Sequence, residues 1–280
     1  MLRRWLAVLI LLPAIAFCGI AHAGSGLAQE KRWTEARQLL AQGKAAEAKE
    51  QLNELTRDYP KESDVYLFLG IAWLRLRDPQ AAITAIQHAI ELNPNHVEAR
   101  TLLGWIDTEI RGDFDAAIKE YQTVVELRPA SAEAYNNLGV AEKRKGDLDR
   151  AADAFNKALQ RKPDYNPALT NRGWIFAERN QWPEARRDFE QALKINPADD
   201  GALYGFSQAL RAEHDYAGAQ QTMQRLISRS PNFIYWLEWG RIGLIRYWWV
   251  LLLAALAFVL KGRFTAIHRP PASVEAGGKP

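Results

Sequence analysis

Six prolines recur at almost equal intervals through this 280-residue chain. They are Pro60, Pro94, Pro129, Pro163, Pro197 and Pro231, with spacings of 34, 35, 34, 34 and 34 residues. A period of this size marks one supersecondary unit repeated along the chain. Such a unit cannot bury its apolar face alone, so neighbouring units must stack into a solenoid. Apolar residues make up 48% and charged residues 25%, which suits a folded chain and excludes a disordered one. The lone cysteine, Cys18, excludes a disulfide framework and a cysteine-built zinc site.

Within each period, small and large residues return in register. The second unit has Tyr66, Leu69, Gly70, Trp73, Ala82, Ile86, Ala89 and Pro94. The fourth has Tyr135, Leu138, Gly139, Ala151, Phe155, Ala158 and Pro163. The fifth has Gly173, Phe176, Ala185, Phe189, Ala192 and Pro197, with Arg172 where leucine is expected. The third keeps Leu103, Gly104, Ala117, Tyr121 and Pro129, with one extra residue near Arg111 and Gly112. The terminal units depart most, with Ala36 and Ser207 at the glycine position. Gly112-Asp113 and Gly146-Asp147 each read as the end of one helix and the cap of the next, and Asp78-Pro79 as a cap with a first-turn proline.

These residues resemble the tetratricopeptide repeat family over residues 29–231. The resemblance implies an all-α fold, a right-handed superhelical solenoid of about six helix-turn-helix repeats. Units are expected near 29–62, 63–96, 97–131, 132–165, 166–199 and 200–231. The small residues are expected where paired helices approach closely, with Trp73, Tyr121, Phe155, Phe176 and Phe189 filling the space beside them.

In this family the first helix of each unit lines a concave groove. Carried over position by position, the groove receives Thr101, Trp105 and Glu109 from the third unit. It receives Asn136, Asn137, Lys143 and Arg144 from the fourth, and Thr170, Asn171, Trp174 and Glu178 from the fifth. Tyr204, Gln208 and Arg211 come from the sixth. Asn137 and Asn171 are equivalent positions, and in other family members an asparagine ladder of this kind holds an extended peptide backbone. Each carboxamide offers a donor and an acceptor, as a peptide group requires. Solvated asparagines are the alternative. Trp105 and Trp174 suit stacking on a side chain or sugar ring, or packing between units. The basic run Lys143 to Lys145, with Arg211, suits a carboxylate ligand or a solvated face.

Both ends are apolar with basic flanks. Arg3 and Arg4 precede an apolar stretch over residues 5–20, followed by Ala21-His22-Ala23, so residues 1–23 read as a signal peptide, with an uncleaved anchor as the alternative. Residues 242–260 read as a transmembrane helix whose nineteen residues span about 28 Å. Arg246 is expected to snorkel, and Trp236, Trp239, Trp248 and Trp249 to form an interfacial belt. The segment 232–241 is expected to cap the sixth unit through Phe233, Ile234 and Leu237, packed near Met223 and Leu226, and to continue into the bilayer. Residues 261–280 form a basic tail, cytoplasmic by the positive-inside rule.

The net charge of +3 conceals −3 over residues 29–231 and +6 outside them, a pattern that speaks for membrane handling and against nucleic acid. The five histidines (His22, His88, His96, His214 and His268) lack metal-ligand spacing, and phosphate loops and nucleophile elbows are missing. No catalytic residue, metal or cofactor is assigned. The reading is a membrane-anchored scaffold in a bacterial periplasm, held in the inner membrane, with a protein or peptide in its groove. A glycan-binding module of exopolysaccharide export is the alternative.

Overall fold

The computed structural model describes residues 27–267. The expected signal segment 1–23 and the tail beyond Ile267 therefore lie outside the described residues. Among the described residues all regular structure is helical: thirteen α-helices and one π-turn. The chain divides into two compact units, one ending at Ala99 and the other beginning at Arg100.

The first unit holds α1 (Leu27–Ala41), α2 (Ala45–Asp58), α3 (Ser63–Arg75) and α4 (Pro79–Leu92), and the next helix, α5 (Val97–Ile106), begins in it. Its core gathers Ala36, Leu40, Leu52, Leu55, Leu69 and Ala72. At its end His96, only 6% exposed, bonds Asp64 through Nε2 at 2.9 Å and faces Glu98 at 3.4 Å. Burial alone would lower its pKa, but the two carboxylates outweigh burial and raise it to about 9.

The second unit holds α6 (Phe114–Leu127), α7 (Ala132–Lys145), α8 (Leu148–Arg161), α9 (Asn166–Glu178), α10 (Trp182–Ile195), α11 (Asp200–Ala212), α12 (Tyr216–Arg229) and α13 (Phe233–Ile267). In the fourth and fifth repeats the paired helices approach closely because a glycine faces the ring. A Cβ on Gly139 would lie 2.7 Å from the Phe155 ring, and one on Gly173 2.8 Å from Phe189. Phe155 and Phe189 are fully buried, whereas Phe176 packs only partly buried at the edge of their cluster.

The turns within repeats carry a second periodic signal. Gly43, Arg77, Gly112, Gly146, Asn180 and His214 all take positive φ. Arg77, Asn180 and His214 occupy this left-handed position without the freedom of glycine, which hid three of these helix ends from a search for glycine. After five of the turns, the next N–H donates to the carbonyl five residues back, as Asp147 does to Glu142 at 3.0 Å. After Gly112 the donation runs six residues back, from Asp113 to Asp107 at 2.9 Å. The extra residue of the third repeat is thus absorbed in the π-turn Asp107–Arg111, without shifting the helices that follow. Asp78, Asp113 and Asp147 cap α4, α6 and α8 by accepting from the N–H three residues on.

Arg172 departs from the leucine pattern together with Asp188. Its guanidinium forks onto both Asp188 carboxylate oxygens at 2.7 Å, and Nη1 donates to Asn156 at 2.8 Å. The Asp188 side chain is 7% exposed. A buried ion pair here replaces the apolar contact that Leu138 supplies one repeat earlier.

The last helix packs with a face other than the expected one. Phe233, Ile234 and Leu237 are 74%, 59% and 57% exposed and do not cap the sixth repeat. Tyr235 and Trp239 pack on Leu203, Met223, Leu226 and Ile227 instead, and Ile242 is fully buried against Leu210 and Ala219. Residues 235, 238, 239, 242, 243 and 246 make one helical stripe against the array. Both faces of this segment are apolar, so hydrophobic pattern alone could not select between them. From 247 to 260 every residue is exposed. The helix is continuous through Gly240 and Gly243, and Phe233–Leu260 is long and apolar enough to cross a membrane.

Candidate binding surface

The first helices α7, α9 and α11 of the second unit carry most of the expected groove residues. Asn171 donates from Nδ2 to Asn136 Oδ1 at 3.0 Å, so the link between repeats runs to Asn136 and not to its equivalent, Asn137. Asn136 is buried, and its own Nδ2 lies 3.5 Å from Asn137 Oδ1. Asn137 and Asn171 are half-buried at the edge of this network. Thr170 is also buried, and its hydroxyl donates to Asp199 at 2.9 Å, tying α9 to the carboxylate that caps α11.

The basic run is already paired. Lys143 meets Glu178 at 2.8 Å, Arg144 meets Glu109 at 3.0 Å and Lys145 meets Asp115 at 2.6 Å. Each cation reaches a carboxylate of an adjacent repeat, so a ligand carboxylate must compete with one already in place. Arg211 donates to Gln208 Oε1 at 2.7 Å.

The aromatic residues form a row that sequence reading saw only in part. Trp174 lies tilted on Tyr204 with centroids 5.9 Å apart, and Tyr204 lies on Tyr235 at 5.6 Å. Phe189 supports Trp174 from below, edge to face at 5.3 Å. The row therefore crosses α9, α11 and α13. Tyr235 and Glu238, on the last helix, were absent from the expected surface because they follow the last of the six units, which ends at Pro231. Trp105 is half-buried on α5 and does not join the row.

Polar groups flank the row. Burial raises the Tyr204 pKa, and Glu238 raises it further. Gln208 is 8% exposed, and its Nε2 is buried without a partner among the described residues. The same holds for Arg211 Nε, whereas Glu238 Oε2 meets Arg241 at 3.0 Å. Two donors thus stand unpaired beside an aromatic row, each costing about 1–3 kcal/mol until a partner satisfies it. A peptide carbonyl is the complementary acceptor.

Tetratricopeptide repeat profiles match residues 33–97 and 111–166, and a second such profile matches residues 176–238. The chain belongs to the tetratricopeptide repeat family. Among curated proteins none matches it. Among solved structures it is similar to PilF of Pseudomonas aeruginosa, at 15% identity and TM-score 0.68, over 76% of this chain and 97% of that one. PilW, a widely conserved type IV pilus biogenesis factor, aligns at 14% identity and TM-score 0.66, over 75% and 97%. MamA from Desulfovibrio magneticus RS-1 aligns at 24% identity and TM-score 0.56, over 63% and 99%. At these identities the likeness concerns the fold.

Proposed function

We propose that this tetratricopeptide protein is a non-catalytic, membrane-anchored scaffold that binds an extended segment of a protein partner along α7, α9 and α11. The observation that carries the reading is the row Trp174, Tyr204 and Tyr235 with the unpaired Gln208 Nε2 and Arg211 Nε beside it. The rings supply area at low conformational cost, and the unpaired groups supply peptide-group recognition. Asn137 and Asn171 extend the polar track along the two preceding repeats.

The exposed apolar run 247–260 supports the anchor, since nothing else described in the chain covers it. The expected signal segment and basic tail support a periplasmic array in the bacterial inner membrane. The fold likeness to PilW, a pilus biogenesis factor, supports a part in envelope assembly or secretion. The same tilted rings also suit a sugar polymer, which keeps glycan binding in exopolysaccharide export as the second reading.

The test is capture by crosslinking, followed by affinity measurement with whatever is retained. A defined protein partner whose affinity falls at least tenfold in Tyr204→Ala, and also falls in Asn137→Ala with Asn171→Ala, supports the scaffold. Retention of glycan with no protein overturns it in favour of the second reading. For topology, a phosphatase fusion at Arg229 should be active and one at Ser273 inactive; the reverse overturns the localisation.

A further inference from the structure

Where α13 leaves the array, it forms a cleft with α12. The cleft is shallow and open to solvent, holds about 320 Å³ and is lined by Gln220, Gln221, Gln224, Trp239, Arg246 and Tyr247. Arg246 is the last residue of the packed stripe, and the exposed apolar run begins at the next position. We infer that this cleft binds the phosphate of an acidic phospholipid headgroup. The inference rests on the membrane reading above and adds a ligand site to it.

Three features point to that chemistry. First, among the described residues the only charged group lining the cleft is the Arg246 guanidinium, and every other polar wall is a carboxamide, an indole or a phenol. The nearest carboxylate on α13, Glu238, is turned to Arg241 at 3.0 Å. Second, the guanidinium is held in place. It donates from Nη1 to Gln220 Oε1 at 3.2 Å and lies 4.9 Å from the Tyr247 ring centroid. Gln220 reaches it because Gly243 leaves room: a Cβ there would lie 3.1 Å from Gln220 Nε2. A guanidinium has five N–H donors in a planar fork suited to two phosphate oxygens, and one is engaged here. Third, the depth is right. With 248–260 in hydrocarbon, Arg246, Tyr247 and Trp239 fall in the headgroup layer, where indoles and phenols concentrate. A lone cation without a neighbouring carboxylate favours a headgroup of net negative charge over a zwitterion.

The site would also fix how the array meets the bilayer. Fourteen exposed residues at 247–260 span about 21 Å, short of the roughly 30 Å hydrocarbon core. The packed stripe prevents α13 from sinking deeper without dragging α12 with it. A headgroup drawn into the cleft meets the helix at that level.

The full chain is reconstituted in nanodiscs of phosphatidylcholine with and without phosphatidylglycerol, then transferred to detergent, and the retained lipid is counted by native mass spectrometry. The expected result is one phosphatidylglycerol per chain, held at least tenfold over phosphatidylcholine. Arg246→Gln should abolish the preference, and Gln224→Glu, which adds a carboxylate to the cleft, should weaken it. An unchanged preference in Arg246→Gln overturns the inference. Displacement of the lipid by millimolar inorganic phosphate overturns it too, because the source would then be free phosphate. Alkaline extraction of membranes separates this failure from that of the anchor. A chain that resists extraction but shows no Arg246-dependent lipid refutes the cleft alone, whereas a chain released into the supernatant refutes the membrane reading and the cleft with it.

Discussion

The fourth and fifth repeats share one backbone and solve its packing with different chemistry. In the fourth, α7 and α8 meet through Gly139 and Phe155, Leu138 packs on Ala117, Ile118 and Tyr121 of α6, and the turn between α7 and α8 is Gly146. In the fifth, Arg172 stands in place of the leucine, its charge is met by buried Asp188, and Asn180 makes the left-handed turn. The glycine against phenylalanine contact is the same in both. The close approach of helices is therefore the constant of the repeat, while a position beside it tolerates a charge if its partner changes too. Tolerance differs between the two positions because a glycine facing a ring has no room to give, whereas the leucine site opens toward solvent, with Arg172 23% exposed.

Breaking that equivalence should be most costly at the ion pair. Arg172→Leu restores the family residue yet should destabilise the protein by about 3 kcal/mol in urea denaturation, because Asp188 is left buried and unpaired. Adding Asp188→Ala, which copies the fourth repeat's Ala154, should recover most of the loss. If the single substitution proves as stable as the parent, the pair is incidental.

A second buried charge sharpens the contrast, because this one titrates. The raised pKa of His96 means its charged form is favoured by folding, so its contribution is complete below its unfolded value near 6.5 and is lost as pH rises through about 9. The first unit should therefore lose on the order of 2–3 kcal/mol between pH 6 and pH 10, and His96→Gln should flatten that slope. Hydrogen exchange at the N-terminal turn of α5, followed against pH, reads the difference.

The smallest effect belongs to the turns. Asn180→Gly should stabilise by about 0.5 kcal/mol or less, since asparagine tolerates the left-handed region better than other residues with a Cβ. Arg77→Gly should gain more, up to about 1 kcal/mol. Gly146→Asn should cost a similar amount, because φ of 97° lies further from the region asparagine favours. A reversed order in thermal melts would show that side-chain contacts, not backbone strain, dominate these positions.

Much of this was legible in the residues themselves. The 34-residue period, the glycines at helix contacts and the aspartate caps are local or nearly local constraints, so Gly139, Asp78 and Pro94 announce their roles without a partner being known. The candidate surface was legible only in outline. Asn136, Thr170 and Trp174 lie where the repeat places them, but Asn136 bonds Asn171 across repeats, and Thr170 serves the next helix cap. The basic run looked available for a ligand because its carboxylates, Glu109, Asp115 and Glu178, lie about 30 to 35 positions away.

The sequence by itself determined that the chain builds stacked helix pairs and ends in an apolar helix too long for a repeat. Periodic glycine and alanine leave no other way to bury the intervening aromatics. Only the tertiary structure decided which face of that last helix docks. Phe233, Ile234 and Leu237 are as apolar as Tyr235, Trp239 and Ile242, so transfer free energy favours neither set. The choice is made by the surface that α12 offers, where Met223, Leu226 and Ala219 leave room for one stripe, and by the Gln220 and Arg246 pairing that holds the helix as it departs.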